Sequence, residues 1–131
     1  MTYNRLLRKA KSAIQKWARM RDADANGIIR CCCCGQWRNW KNSDGAHFIP
    51  ATYLSTCFSE ININACCLSC NRFKEGNRTP YRLFMIDKYG LMAITELEQR
   101  QHLRIKYHAF ELEAIAKLYT DKLAEFSKKN L

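Results

Sequence analysis

A chain of 131 residues with a formal net charge of +10 has room for one principal core, and that charge makes a polyanion the natural partner. An ordinary apolar fraction of 47% argues against disorder, and no apolar run is long enough to span a membrane. Eight cysteines follow a start, MTYNRLLRKAKSAIQKWARM, that has no apolar signal core; a reducing cytoplasm with metal-bound thiolates is expected, not secreted disulfides.

The charge is unevenly spread. Residues 1–30 hold eight Lys/Arg against two acids, residues 31–90 seven against four, and residues 91–131 seven against six. The positive field therefore sits on the first segment and the centre. Three parts are expected: a basic amphipathic helix over 1–27, a zinc-stapled core over 28–90, and a helical extension over 91–131.

The spacing of Leu6, Ala10, Ala13/Ile14 and Trp17 predicts one helix from Thr2 to about Ala25. Arg5, Arg8, Lys9, Lys16 and Arg19 cover much of its other side and are candidate phosphate contacts, with a merely solvated basic face as the alternative. Asn42-Ser43-Asp44-Gly45 is a strong turn signal, predicting a hairpin from Trp37 to Ile49. Ile61-Asn62-Ile63-Asn64 alternates well enough for a short strand. A short helix is expected after Cys70, stopping at Gly76, and another over Tyr81–Tyr89, stopping at Gly90. Thr95-Glu96-Leu97-Glu98 reads as a capping box opening a long helical tail. Its stripe of Ile105, Ala109, Leu112, Ala116, Tyr119, Leu123 and Phe126 has two readings: packing back on the domain, or self-association into a homodimer through these C-terminal helices.

Two C-x-x-C pairs, Cys31/Cys34 and Cys67/Cys70, bracket His47. Paired knuckles at this spacing are a zinc signature, because four thiolates complete the tetrahedron Zn²⁺ prefers and leave no open position. The metal is then structural. Cys32 and Cys33 read first as spectators or packing residues, with competition for the zinc as the alternative, and Cys57 as a small buried apolar residue. Cys66 beside Cys67 leaves the knuckle register open by one, although Cys67 keeps the C-x-x-C spacing.

Any chemistry falls to His47, Asn62 and Asn71. Hydrolysing a phosphodiester takes a base to deprotonate water and a cation to hold the developing charge. His47 suits the base and Asn71 a ligand for Mg²⁺ or Mn²⁺, while the Asn62 amide is placed to fix the loop bearing His47. Asp44 is either a second ligand for that cation or a turn residue.

The motifs Cys31-x-x-Cys34-Gly35, Asp44-x-Ala46-His47-Phe48-Ile49, Asn62-Ile63-Asn64, Cys67-x-x-Cys70-Asn71-Arg72, and Gly76-Asn77 followed by Tyr81-Arg82 agree in order with one family. Over residues 28–107 the chain resembles the NinG/Rap family of lambdoid-phage recombination endonucleases. The resemblance implies an α+β fold: a small ββα-metal (HNH-like) core stapled by the four-cysteine zinc site and flanked by helices. It also implies a nuclease selective for branched DNA such as Holliday junctions and D-loops, working in a bacterial host cytoplasm. Arg72, Lys74, Arg78 and Arg82 would contact DNA near the site. Many HNH enzymes place a metal-binding Asp or His directly before the catalytic His, where this chain has Ala46. The rival class is a non-catalytic zinc-ribbon DNA-binding or regulatory protein, which needs neither His47 nor Asn71.

Overall fold

The computed structural model describes residues 1–129 as a mixed α+β fold. The first helix, α1, runs Tyr3–Asp22, and its orphan amides are capped by Thr2, whose hydroxyl accepts from the Arg5 amide at 3.3 Å. Leu6, Ala10, Ile14, Trp17 and Ala18 form its buried stripe. The Asp24 carboxylate then accepts from the amides of Asn26 and Ile28, both at 2.9 Å, and turns the chain into the first strand.

The hairpin lies elsewhere than the turn signal predicts. Strand β1 (Ile28–Arg30) pairs antiparallel with β2 (Trp37–Asn39), so the turn between them is the first cysteine knuckle itself. One 3-10 turn, Trp40–Asn42, leads into β3 (Ser43–His47), which pairs antiparallel with β4 (Ile63–Cys67). Ser43, Asp44 and Gly45 are thus strand residues opposite Cys67, Cys66 and Ala65. Tertiary contact overrides the local signal here. A Cβ on Gly45 would lie 2.6 Å from the Gln15 carbonyl oxygen and 2.9 Å from its Cα, so the glycine admits α1 onto the strand.

Strand β4 is buried along its whole length. Beyond β3, its backbone is satisfied by other parts of the chain. The Ala65 amide donates to Asp22 at 2.8 Å, the Ile63 carbonyl accepts from Arg21 at 2.6 Å, and the Ala65 carbonyl accepts from the Cys32 amide at 3.1 Å. Both the end of α1 and the knuckle are therefore tied to this strand.

After β4 comes one wide π-type turn, Ser69–Phe73, in place of the expected short α-helix. Helix α2 (Arg78–Tyr89) stops at Gly90, whose φ of 88° suits a residue without a Cβ. Helix α3 starts directly at Leu91 and ends at Arg100, so Thr95 is interior and its hydroxyl donates to the Leu91 carbonyl at 2.9 Å. The predicted capping box is not a cap, and the tail is broken by an irregular stretch before α4 (Ala109–Lys129).

Within the described residues the α4 stripe packs back on the domain. Leu112, Ala116 and Tyr119 are buried with Leu6, Ala10, Ile14 and Trp17 of α1, and the Trp17 and Tyr119 ring centroids stand 5.1 Å apart. Ile105 falls outside this helix. No helix among the described residues is long and apolar enough to cross a membrane.

Gly45→Ala should force α1 away from β3 and cost about 1–3 kcal/mol of unfolding free energy. Urea unfolding reads this as an earlier midpoint. An unchanged midpoint would contradict so close a helix–strand contact.

Candidate metal centre and basic cleft

The knuckle after β1 and the turn after β4 bring Cys31, Cys34, Cys67 and Cys70 together, with all four sulfurs within 4.8 Å of one another. Tetrahedral zinc with bonds of about 2.3 Å sets its sulfurs about 3.8 Å apart, and the Cys34 and Cys67 sulfurs lie 3.7 Å apart. Backbone amides are aimed at the sulfurs: Cys33 and Cys34 at Cys31 (3.4 and 3.5 Å), and Cys70 at Cys67 (3.4 Å). The Asn77 side chain donates to Cys70 at 3.4 Å. Such donors stabilise thiolates. Gly35, at a φ of 75°, closes the first knuckle by donating to the Cys31 carbonyl at 3.0 Å. The donor set fits a structural zinc ion.

A polar cleft of about 400 Å³ opens beside this centre. Ser43, Asp44 and Gly45 of β3 contribute to its lining, with Ser12, Gln15, Lys16 and Arg19 of α1 on one side and Leu68, Asn71 and Arg72 on the other. Lys41 completes the rim. Asp44 is the only acid in the lining. Its carboxylate accepts from Asn71 at 3.0 Å and from Arg72 through two bonds of 2.9 Å. Burial works to raise its pKa, but hydrogen bonds from Arg72 and Asn71 and the charges of Arg72 and Arg19 prevail, holding it below the ordinary carboxylate value. Arg19 donates to the carbonyls of Trp40 (3.3 Å) and Ser43 (2.9 Å), anchoring α1 to the start of β3.

His47 sits at the far end of β3, three residues from Asp44, and alternation turns the two side chains to opposite faces. It is partly buried and is not among the cleft's lining residues. Its Nε2 lies 2.9 Å from the Cys57 carbonyl oxygen. A carbonyl only accepts, so Nε2 carries the proton and Nδ1 is left as the basic nitrogen. Nδ1 meets the Gln15 side-chain amide at 3.5 Å, and Gln15 lines the cleft. Burial lowers the His47 pKa from its ordinary 6.5, the Cys57 carbonyl opposes this, and Lys11 adds to it. The imidazole is therefore neutral near pH 7. Because the unfolded chain takes up this proton first, the stability present above about pH 6.5 is lost as pH falls below it.

Asn62 does what its position predicts. Its oxygen accepts from the Ile49 amide at 2.8 Å, and its NH₂ donates to the carbonyls of Ile49 (3.0 Å) and Thr56 (3.2 Å), closing the loop that presents the Cys57 carbonyl to His47. Asn64 is equally buried, with no role that the sequence assigns it. It donates to Ile61 (3.0 Å) and the Tyr81 hydroxyl (3.2 Å) and accepts from the Tyr89 hydroxyl at 2.8 Å. Alternation gives no sign of this, because β4 is covered on both faces. Ser12, Gln15 and Lys41 likewise escape sequence reasoning, their side chains being unremarkable until α1 and β3 meet.

The other basic residues divide. Lys16, Arg19 and Arg72 line the cleft; Lys74 is exposed on the turn beyond it. Arg78 is engaged with the Phe48 carbonyl and ring, and Arg82 pairs with Glu98 at 2.8 Å. Arg5, Arg8 and Lys9 are exposed farther along α1.

With this geometry in place, comparison with known proteins adds a lineage. The family described as "Bacteriophage Lambda NinG protein" matches residues 3–129. The chain belongs to the NinG family. It is 31% identical over 119 residues to protein ninG of Salmonella phage P22 and, likewise, to protein ninG of Escherichia phage lambda. Each match covers 91% of this chain and 56% of the relative. Protein ninG of Enterobacteria phage H19B is 30% identical over 109 residues, 83% of this chain and 52% of the relative. The chain thus spans about half the length of these NinG relatives. No solved structure matches it.

Cys70→Ser should remove one buried sulfur of the four-cysteine cluster and abolish cooperative thermal unfolding. A mutant that keeps both its transition and its zinc would contradict the four-cysteine assignment.

Proposed function

We propose that this chain is a metal-dependent DNA endonuclease that hydrolyses phosphodiesters in branched recombination intermediates. The observation that carries the reading is the basic cleft floored by one carboxylate, with a neutral, oriented imidazole reaching it through Gln15. Lys16, Arg19, Lys41 and Arg72 surround a single acid there, which suits a scissile phosphate. The chain order of β3, β4 and the turn after them supports the ββα-metal reading that the resemblance implies, with a π-type turn in the place of its helix.

Nδ1 of His47 accepts a proton from the attacking water once the Gln15 amide swings aside, and Nε2 keeps its proton against Cys57 throughout. Asn62 positions that carbonyl and touches neither water nor DNA. Asn71 directs its NH₂ at Asp44, which leaves its own carbonyl oxygen out of that contact, so the pair offers hard oxygen donors suited to Mg²⁺ or Mn²⁺. A cation bound there would supply charge stabilisation at the phosphate and leaving oxygens. Arg72, with its side chain 57% exposed, is free to leave Asp44 for a phosphate. Cutting a junction symmetrically takes two sites, hence two copies of the chain.

The runner-up is a non-catalytic zinc module that binds DNA. It is favoured by one observation: both ring nitrogens of His47 have partners, as in a structural histidine.

Cleavage of a synthetic four-way junction with Mg²⁺ separates the two. A lost general base costs about 10²–10⁴-fold, so His47→Ala should stop visible cutting while zinc and junction binding persist, and Asn71→Ala should do the same. Asn62→Ala should be milder. Binding without cutting by the wild type would leave the zinc-module reading, and equal cutting by wild type and His47→Ala would remove His47 from the catalytic role. Binding should weaken steeply with salt, and Lys16→Ala should flatten the salt slope by about one unit; an unchanged slope would remove Lys16 from the interface.

A further inference from the structure

Three cysteines outside the four-thiol centre gather against it. The Cys31 and Cys66 sulfurs are 3.8 Å apart, those of Cys66 and Cys33 are 3.9 Å apart, and those of Cys33 and Cys32 are 3.8 Å apart. Cys31, Cys33 and Cys66 lie within 4.8 Å of one another, and Cys32 joins them through the Cys33 sulfur. These spacings repeat the edge of a zinc–thiolate tetrahedron.

The backbone explains the convergence. Cys66 and Cys67 are consecutive on β4 and point to opposite faces of the sheet. Cys67 therefore faces the first centre and Cys66 the other side. Cys32 is held close to β4 by its amide bond to Ala65. Cys31 stands between the two sulfur groups and belongs to both. With Cys66 fully buried and Cys32 nearly so, a thiol here lacks water as an alternative partner.

We propose that this chain binds a second Zn²⁺ at Cys31, Cys32, Cys33 and Cys66, with Cys31 as a thiolate bridging it to the first. The second ion displaces the protons of Cys32, Cys33 and Cys66 into solvent, while Cys31 is already deprotonated by the first ion. No electrons move. Seven thiolates and two dications leave a net charge of −3, and Arg30 lines the same groove as Cys31, Cys32 and Cys33 and lies beside that charge. A disulfide does not fit, since bonded sulfurs stand about 2 Å apart. Neither does an iron–sulfur cluster, whose inorganic core holds the cysteine sulfurs farther apart. The rival is plain packing of small apolar side chains.

The test is zinc stoichiometry of the full chain, purified from zinc-supplemented cells, by native mass spectrometry and elemental analysis. Wild type should carry about two Zn²⁺. Cys66→Ser and Cys33→Ser should each carry about one, with the far-ultraviolet spectrum retained. Cys33 is only partly buried, so its variant keeps the test open if Cys66→Ser fails to fold. One zinc in the wild type, a Cys32–Cys33 disulfide in its place, or two zinc ions surviving in Cys33→Ser would each overturn the proposal.

Discussion

The convergence of Cys31 and Cys34 with Cys67 and Cys70 is the constraint on which the remaining structure depends. It joins the tip of one hairpin to the end of a strand more than thirty residues later. Because β4 ends at Cys67, fixing that sulfur fixes the strand, and through it the register of β3. Asn71 and Arg72 follow Cys70 directly, while Asp44 lies opposite Cys66. The four cysteines thus determine how far the Asn71 amide stands from the Asp44 carboxylate.

The first helix supplies what the sulfur centre cannot. It meets β3 at Gly45, holds β4 through Arg21 and Asp22, and presents Lys16 and Arg19 to the cleft. Helix α4 backs it from the opposite side through Leu112, Ala116 and Tyr119, and Tyr119 also bonds Glu60 at 2.8 Å. The charged face predicted for α1 is therefore partly a cleft wall and partly, at Arg5, Arg8 and Lys9, open surface.

Much of this is legible in the sequence where local chemistry decides structure. The cysteine spacing locates the four-thiol cluster, the apolar spacing locates α1, and Gly90 marks the end of α2. The loop-fixing role of Asn62 is also readable. The failures share a cause. Asn42-Ser43-Asp44-Gly45 has turn chemistry, but Gly45 is there for the close approach of Gln15, a contact thirty residues away. Thr95-Glu98 has cap chemistry, but Gly90 has already started that helix. Ile61–Asn64 alternates, yet both asparagines are fully buried, Asn62 bonded to Ile49 and Thr56 and Asn64 held between Arg21 of α1 and Tyr81 of α2. Long-range packing leaves no trace in a local pattern.

Burial holds His47 neutral, the Cys57 carbonyl fixes its proton on Nε2 and leaves Nδ1 toward Gln15, and the proposed chemistry rests on that state. Nitrogen NMR of the imidazole in the zinc-loaded chain tests this most directly. The expected result is the Nε2–H tautomer at neutral pH, with protonation only below 6.5. An Nδ1–H tautomer, or a midpoint above 6.5, would contradict it.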